Sequence, residues 1–391
     1  MSVNRCQNSK LPCLAVLIVL TTVFSPAQTI ADDNSSWVGR KIMTKEQGVW
    51  IGHTEAEFPR LRLFQRHVNV AELTDLTYTV LKEQDGWLNV RHRGMQDWFP
   101  KEKAILLADA FSYFDAQVRA NPHHAFALAH RGRAWYEQHE YEMALVDLDE
   151  AIRLDPDHSA WYGSRGMVYE RLGDYDAAIR DYNEALRRDP ADAQSYNNRG
   201  LAYRAKTDDT RAINDFSQAI RLDASLAEGY FNRGNAYKAK REFGLAIGDY
   251  NEAVRLDPTW ANAYFNLANA YRANKEYDKA VSKYREVIRL DREDADAFSN
   301  LAWLLATCPD KKVRDGRQAV EYAMTACELT SWEASYFLAT LAVACAENGQ
   351  FEQAIKWQKR ALESSEYEKD EGKSAAQRLA LFQDGKPYHE Q

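Results

Sequence analysis

A 34-residue repetition is the feature that most constrains what this chain can fold into. Asp-Pro pairs begin at Asp155, Asp189 and Asp257 in one register, and Asp223 and Asp291 keep that register with the proline replaced. Repeats of 20–50 residues are typical of stacked supersecondary units, each burying its apolar face against its neighbours. The sequence therefore predicts an elongated array instead of one compact core.

Small and large residues recur inside each unit at helical spacing. Glycine recurs once in each unit and is later replaced by alanine, at Gly132, Gly166, Gly200, Gly234, Ala268 and Ala302. A second alanine row follows, at Ala144, Ala178, Ala212, Ala246 and Ala280. Large residues are expected to fill the gaps beside the small residues of both rows, at Tyr169, Tyr203, Tyr237 and Tyr271. Small residues let two helix backbones approach closely, so each unit is predicted to be a pair of packed helices.

This pattern resembles the tetratricopeptide repeat, a helix–turn–helix unit. The resemblance implies a mainly α fold, a right-handed superhelical array of tetratricopeptide helical hairpins. We predict five regular repeats over residues 125–294 and two further repeats over 295–368, with an inserted loop at 307–316. Apolar stripes at helical spacing predict an N-terminal capping helix at 102–120 and a C-terminal capping helix at 373–383.

Residues 37–100 follow a different pattern. Alternating segments flank turn signals at Asp85-Gly86 and Arg93-Gly94, which predicts β-hairpins. The segment from Gly86 to Trp98 resembles the closing half of a bacterial Src-homology-3-like barrel. In exported proteins, such domains often bind peptides or cell-wall material; the alternative is that the barrel only braces the first helical unit.

Residues 1–31 have the pattern of a secretory signal peptide. Arg5 and Lys10 precede an apolar run from Leu11 to Phe24, and small residues follow. The run is shorter than the ~20 residues of a membrane-spanning helix, although an uncleaved anchor is the alternative. We expect export to the periplasm or an equivalent envelope compartment, with no stable membrane span after cleavage.

Charge and motif content narrow the function classes. The formal net charge is −8, which disfavours general nucleic-acid binding because that requires a basic face. No phosphate-binding loop, zinc-protease motif or nucleophile elbow is present in the sequence, so we expect no enzyme activity, no cofactor and no metal. Cys308, Cys327 and Cys345 either include a disulfide or are three small buried residues.

Arginine and aspartate recur together sixteen residues apart, and in unit five they are replaced together by Leu267 and Lys283. Their joint loss predicts a structural salt bridge inside each of the first four units, bidentate in geometry. The pairs are Arg131–Asp147, Arg165–Asp181, Arg199–Asp215 and Arg233–Asp249.

The first helices carry a second set of polar residues, which are the candidates for binding. Asparagine recurs at one position of successive units, and an asparagine ladder here resembles the receptor superhelix of O-linked N-acetylglucosamine transferase, where it holds peptide backbone. The candidate peptide-binding groove comprises Asn198, Asn232, Asn235, Asn266, Asn269, Asn300, Arg204, Lys238, Arg272, Phe231 and Phe265. The alternative is that asparagine is merely common at this position in the family, and that the cationic side chains only face solvent.

These observations favour a non-catalytic scaffold of the cell envelope that binds a protein or peptide in the concave groove of the array. The alternative is an envelope-attached structural spacer whose β-barrel docks to cell-wall material. A late segment from Leu301 to Ala323 is similar to a C-terminal region of planctomycete-type exported proteins, whose partners are mostly unknown.

Overall fold

The computed structural model describes residues 41–44, 50–51, 71–72, 78–84, 87–92, 95–100 and 104–390. The predicted signal peptide lies outside the described residues, as does much of the predicted barrel. The described part is mainly α-helical.

Seven short strands precede the helices in the part of the chain that the structure describes. Five of them form an antiparallel sheet in the order β6-β5-β4-β1-β7, and β2 pairs with β3. The predicted hairpins are present, because Gln84 pairs with Trp87 and His92 pairs with Met95. These strands alone do not establish the Src-homology-3-like barrel, which stays a prediction. The strands are β1 Lys41–Thr44, β2 Trp50–Ile51, β3 Ala71–Glu72, β4 Tyr78–Gln84, β5 Trp87–His92, β6 Met95–Pro100 and β7 Ala104–Leu106.

Sixteen helices follow in the described residues. They are α1 Leu107–Ala120, α2 Ala125–Glu137, α3 Tyr141–Leu154, α4 Ser159–Arg171, α5 Tyr175–Arg188, α6 Ala193–Ala205, α7 Asp209–Leu222, α8 Ala227–Ala239, α9 Phe243–Leu256, α10 Ala261–Ala273, α11 Tyr277–Leu290, α12 Ala295–Thr307, α13 Gly316–Leu329, α14 Ser335–Glu347, α15 Phe351–Ala361 and α16 Ser365–Gln383. The pairs from α2/α3 to α10/α11 are units one to five, α12/α13 is unit six and α14/α15 is unit seven.

The repeated aspartates end each unit by a local hydrogen bond. Asp155 Oδ1 accepts from the backbone N–H two residues later, and so do its four equivalents in the following units, from Asp189 to Asp291. An aspartate side chain that binds its own backbone in this way favours a turn over continued helix. The aspartate therefore recurs even where the proline after it does not.

Three of the repeated glycines, Gly166, Gly200 and Gly234, lie under an aromatic ring of the second helix. A Cβ at Gly200 would stand 2.6 Å from Phe216, and a Cβ at Gly166 would stand 2.8 Å from Tyr182. The ring that covers each glycine therefore comes from the second helix of the same unit, sixteen residues later. Tyr169 and Tyr203 of the predicted tyrosine row pack beside the alanines of the second row, Ala178 and Ala212.

The two predicted caps differ from the sequence expectation in length. The segment 102–120 is helical only from Leu107, since Ala104–Leu106 pairs with β1 as a strand. At the other end the helix begins at Ser365 instead of 373, because the Ser364 hydroxyl accepts from the Tyr367 N–H at 3.4 Å. A serine N-cap satisfies one of the free N–H groups of the first turn and so extends the helix backwards.

The insertion in unit six is held by a close backbone approach. Its loop follows Thr307, and α13 begins at Gly316. A Cβ at Gly316 would stand 2.7 Å from the backbone nitrogen of Asn348, so only glycine fits where α13 starts against the end of α14.

Candidate functional site

The four arginine–aspartate pairs have one geometry. In unit two, Arg165 Nε donates to Asp181 Oδ2 at 2.7 Å and Nη2 donates to Oδ1 at 2.7 Å. The same two-bond arrangement joins the first and second helices of units one, three and four, through Arg131–Asp147, Arg199–Asp215 and Arg233–Asp249. A planar guanidinium matches a carboxylate in this way, so these charges hold hairpins together.

Each of these arginines also contacts the preceding unit. Arg165 Nη1 donates to Asp149 Oδ1 at 2.6 Å, and Arg199 Nη1 donates to Asn183 Oδ1 at 2.6 Å. The equivalent bonds join Arg131 to Asp115 and Arg233 to Ser217. One arginine therefore joins three helices, and this link was not among the contacts predicted from the sequence.

The electrostatics agree with a structural role. The hydrogen bonds to Asp181 raise the pKa of Arg165 well above its usual value. Burial raises the pKa of Asp181, and the bonds from Arg165 oppose that rise. The guanidinium therefore stays charged, and its partner accepts both of its bonds.

Two of the candidate asparagines are engaged inside their own units. Asn235 Oδ1 accepts from the Tyr250 hydroxyl at 2.7 Å, and Asn269 Oδ1 accepts from the Tyr284 hydroxyl at 2.6 Å. Burial raises the pKa of Tyr284 to about 12, so the hydroxyl remains a donor. These two asparagines satisfy buried tyrosines, which is an architectural task.

The other asparagines form links along the first helices. Asn232 Nδ2 donates to Asn197 Oδ1 of the preceding unit at 3.0 Å. Asn266 Nδ2 donates to Asn262 at 2.8 Å, while Asn198 Oδ1 accepts from Gln194 at 2.9 Å. Asn300 Nδ2 donates to the Asp296 carbonyl at 2.8 Å. A carboxamide has four hydrogen-bonding sites, so the single bonds of Asn232 and Asn300 leave others available to a ligand. Asn266 is more fully engaged, since it also donates to the Asn262 carbonyl and accepts from Lys238.

The basic row of Arg204, Lys238 and Arg272 differs from the paired arginines. All three side chains are half-buried. Lys238 Nζ donates to Asn266 Oδ1 at 2.6 Å, and burial together with the charge of Arg204 lowers its pKa. Within the described residues, Lys238 and Arg272 have no carboxylate partner, and the nearest to Arg204 Nε is Asp209 at 3.8 Å. These cations are therefore held close together with little compensation from acidic groups.

The two candidate phenylalanines pack against neighbouring rings. The Phe231 ring lies 4.5 Å from that of Trp260, and the Phe265 ring lies 5.9 Å from that of Tyr284. Both side chains are half-buried, so each exposes one part to solvent and uses the other in packing between helices.

The described residues contain no group of three or more metal-binding side chains arranged around one point. In the same part of the chain, none of the helices combines the length and apolar content that a bilayer span requires. Cys308, Cys327 and Cys345 are buried free thiols, and burial raises the pKa of Cys327 to about 12 and that of Cys345 to about 11. They therefore act as small apolar residues.

The repeat sequence matches known family models over much of the chain. Models described as "TPR repeat" match residues 166–206, 200–241 and 268–306, and models described as "Tetratricopeptide repeat" match 125–158, 227–259, 249–282 and 336–367. No curated protein matches the chain.

Solved structures share the helical array. The C-terminal part of a TPR repeat-containing protein from Cytophaga hutchinsonii is 20% identical, with a TM-score of 0.52 over 63% of this chain and 97% of that one. MamA is 27% identical, with a TM-score of 0.40 over 43% of this chain and 95% of its own. YrrB, described as a TPR protein with an unusual peptide-binding site, is 20% identical, with a TM-score of 0.41 over 48% and 96%.

Proposed function

Because the chain belongs to the tetratricopeptide repeat family, we propose that it is a non-catalytic scaffold that binds an extended acidic segment of a protein along the first helices of units three to six. Tetratricopeptide arrays serve as protein-interaction scaffolds, so the coarse function follows from the family. The acidic character of the segment and its place on the array are the parts we propose.

The basic row carries this proposal. The architectural arginines each bind a carboxylate with two hydrogen bonds, whereas Lys238 and Arg272 have no acidic partner within the described residues. Half-buried cations without a counter-charge are costly, and a carboxylate on a ligand removes that cost. An acidic segment therefore supplies the carboxylate partners that the fold itself does not provide for these side chains.

The asparagines around the row suit the main chain of such a segment. Lys238 Nζ contacts Asn266, and Asn232 links to Asn197 of the unit before it. A carboxamide donates and accepts together, as a peptide group requires. The cations would then select acidic side chains while the asparagines bind backbone.

The first test is binding to defined peptides. Labelled extended peptides that contain several glutamates are titrated with the wild-type chain and with Lys238→Ala/Arg272→Ala. The same peptides with glutamine in place of glutamate are the control. We expect the glutamate peptides alone to bind, and the double variant to weaken them at least about tenfold, since each lost charge-assisted bond is worth about 1.5–3 kcal/mol.

The matched control is Lys240→Ala/Lys275→Ala, which removes two exposed lysines just beyond the ends of the same two helices, α8 and α10. It leaves the net charge equal to that of the test variant. If both double variants weaken binding equally, the effect comes from overall charge and the basic row is not the site.

The asparagine row is tested separately with Asn198→Ala/Asn232→Ala/Asn266→Ala in a pull-down from envelope extract. Release of the captured partners supports backbone recognition by the row. Unchanged capture makes the row architectural, and the spacer function through residues 37–100 then becomes the leading alternative.

We further propose that the scaffold acts in the cell envelope. This is supported by the charged start and apolar run of residues 1–31, which lie outside the described residues. Sequencing the N-terminus of the protein from fractionated cells tests it: a mature chain in the envelope fraction that starts after residue 27 or 31 is expected. An intact N-terminus in the cytoplasmic fraction contradicts export.

A further inference from the structure

Residues 386–390 fold back onto the first helices of the array. After α16, Gly385 adopts a φ of 68°, which glycine tolerates without strain, and the Lys386 N–H donates to the Leu381 carbonyl at 2.9 Å. The chain then passes α14 and reaches α12, where the Glu390 N–H donates to the Thr307 carbonyl at 2.9 Å. That carbonyl belongs to the last turn of α12 and has no partner inside the helix.

Side chains of this tail alternate between two helices. Trp303 Nε1 donates to Glu390 Oε1 at 2.7 Å, and the Tyr388 ring lies 6.1 Å from that of Trp303. His389, between them, lies on α14 with Nε2 2.7 Å from Glu347 Oε2. Alternate contacts joined by a main-chain hydrogen bond are the way an extended peptide binds a surface.

The surface under the tail continues the candidate groove. Trp303 keeps the repeat register of Asn235 and Asn269, so it occupies the same position on the first helix of unit six as they do in units four and five. Thr307 lies one helical turn further along the same face. Residues 386–390 therefore lie on the row of first-helix positions that Asn235 and Asn269 occupy in units four and five, where those two side chains bind tyrosines of their own units.

The charges of Glu390 and Arg272 both act on a tyrosine of unit five. Burial is the main cause that raises the pKa of Tyr284; the charge of Glu390 adds to the rise, whereas that of Arg272 opposes it. Glu390 and Arg272 are therefore both close enough to act on one hydroxyl in unit five. At the aromatic end, the guanidinium of Arg378 lies 5.5 Å from the Trp303 ring and 5.9 Å from the Tyr388 ring. The tail thus presents an aromatic and a carboxylate, two residues apart, to a matching surface.

We infer that residues 386–390 are a built-in ligand of this surface, and that a protein partner displaces them with an extended segment of the same chemistry, an aromatic residue followed two positions later by an acidic one. The inference rests on the proposed function and specifies its partner. The surface, which we call the tail seat, consists of Trp303, Thr307, Glu347 and Arg378.

Displacement is feasible because the tail is held by few bonds. Two main-chain hydrogen bonds, the indole bond and the His389–Glu347 contact oppose the conformational entropy of five ordered residues. Lys386 is exposed, and residues 387–390 are only half-buried. Since the tail is tethered, it competes through a high effective concentration instead of a high intrinsic affinity.

The test uses a labelled peptide with the sequence of residues 384–391, Asp-Gly-Lys-Pro-Tyr-His-Glu-Gln, and the full chain. The tail is released by Tyr388→Ala/Glu390→Ala in the full chain, and peptide binding is followed by fluorescence anisotropy. We expect the released chain to bind the peptide at least about tenfold more tightly than the wild type, because the tethered competitor is gone. A peptide with alanine at both positions should not bind.

Trp303→Phe in the released chain identifies the seat. It keeps an aromatic ring and removes the indole N–H that Glu390 accepts from, so peptide affinity should fall while the thermal midpoint stays near that of the parent. Equal binding to wild-type and released chains, binding to neither, or no effect of Trp303→Phe would each overturn the inference.

A variant of the basic row distinguishes failure of this inference from failure of the proposed function. In the released chain, Lys238→Ala/Arg272→Ala should leave most of the binding of this peptide, since its hydrogen bonds and ring contacts are with the tail seat and not with these two side chains. If the glutamate peptides fail to bind but the tail peptide still binds the tail seat, the inference stands and the proposed function fails. Loss of seat binding alone would leave the proposed function standing.

Discussion

Arg165 and Asp181 are joined by two hydrogen bonds of 2.7 Å each, and Arg165 uses its remaining Nη1 to bind Asp149 of the unit before. The side chain of Asp181 is 7% exposed and that of Arg165 is 20% exposed. Removing one partner therefore leaves the other with an uncompensated charge in a mostly buried place.

A double-mutant cycle measures this coupling. Asp181→Ala should lower the free energy of unfolding by about 2–3 kcal/mol, because Arg165 loses two charge-assisted bonds. Arg165→Leu together with Asp181→Ala should cost at least about 1 kcal/mol less than the sum of the single changes. Urea unfolding of the four chains gives the comparison, and simple additivity would contradict the structural pairing.

The close approach at Gly200 gives a second prediction. Gly200→Ala puts a Cβ 2.6 Å from the Phe216 ring and should destabilise the chain by about 1–3 kcal/mol through overpacking. The matched control is Gly248→Ala, where a Cβ meets no atom within 4 Å on the exposed face of α9. The control should stabilise by about 0.5–1 kcal/mol, since alanine has the higher helix propensity. Effects of the same sign in both would show that helix propensity, not space, dominates.

The repeat predicts the structural features that are the same in every unit. Asp155 and its equivalents close the units with one hydrogen bond, and the arginine–aspartate pairs recur with one geometry. A residue whose environment repeats in every unit is visible because the same residue type recurs. The helices and the intra-unit pairs were therefore accessible from sequence alone.

The links between units were less visible for a physical reason. The group that accepts from the Nη1 of each arginine is an aspartate, an aspartate, an asparagine and then a serine, in Asp115, Asp149, Asn183 and Ser217. Any side-chain oxygen serves, so the residue type is not kept through the four units. Only the shared spacing of sixteen residues before each arginine carries the signal.

The assignment of Asn235 and Asn269 to a ligand groove overlooked a pairing that the sequence contains. Each asparagine is followed fifteen residues later by a tyrosine whose hydroxyl it binds. In unit three the equivalent residues are Leu201 and Phe216, so amide and hydroxyl are absent together. The tail seat, by contrast, occurs once. Trp303 and Glu390 are 87 residues apart, and no repeated pattern in the sequence predicts their contact.

The turn between the two helices of a unit stores strain that substitution can release. Thr207 has a φ of 61°, in the left-handed region, while the equivalent residue of unit two is Gly173 with a φ of 79°. Thr207→Gly should stabilise the chain by about 0.5–1 kcal/mol, because a β-branched residue is disfavoured there. Gly173→Thr should destabilise it by at least as much, and thermal unfolding of both compares them. Destabilisation by Thr207→Gly would mean that the flexibility of glycine in the unfolded chain outweighs the strain.

His130 makes the fold sensitive to acid. Its side chain is 2% exposed and lies 3.9 Å from the Phe126 ring and 4.8 Å from the Phe114 ring, measured between ring centroids. Burial lowers its pKa from 6.5 to about 3, and the nearby charges of His158 and His124 act in the same direction. The unfolded chain therefore binds a proton near pH 6.5 that the folded chain does not bind until about pH 3.

The sign of the effect follows from this difference. Above pH 6.5 the imidazole is neutral in both states and adds no pH dependence, whereas between pH 6.5 and about 3 protonation of the unfolded chain lowers the free energy of unfolding, by about 1.4 kcal/mol per pH unit. His130→Phe keeps a planar ring and removes the titration, so its stability should fall less steeply from pH 6.5 to 4.5 than that of the wild type. His123→Phe, at an exposed position two residues before α2, is the control for replacing a histidine by phenylalanine outside the core. Equal slopes for wild type and His130→Phe in urea titrations across this range would show that the buried imidazole is not the group that titrates.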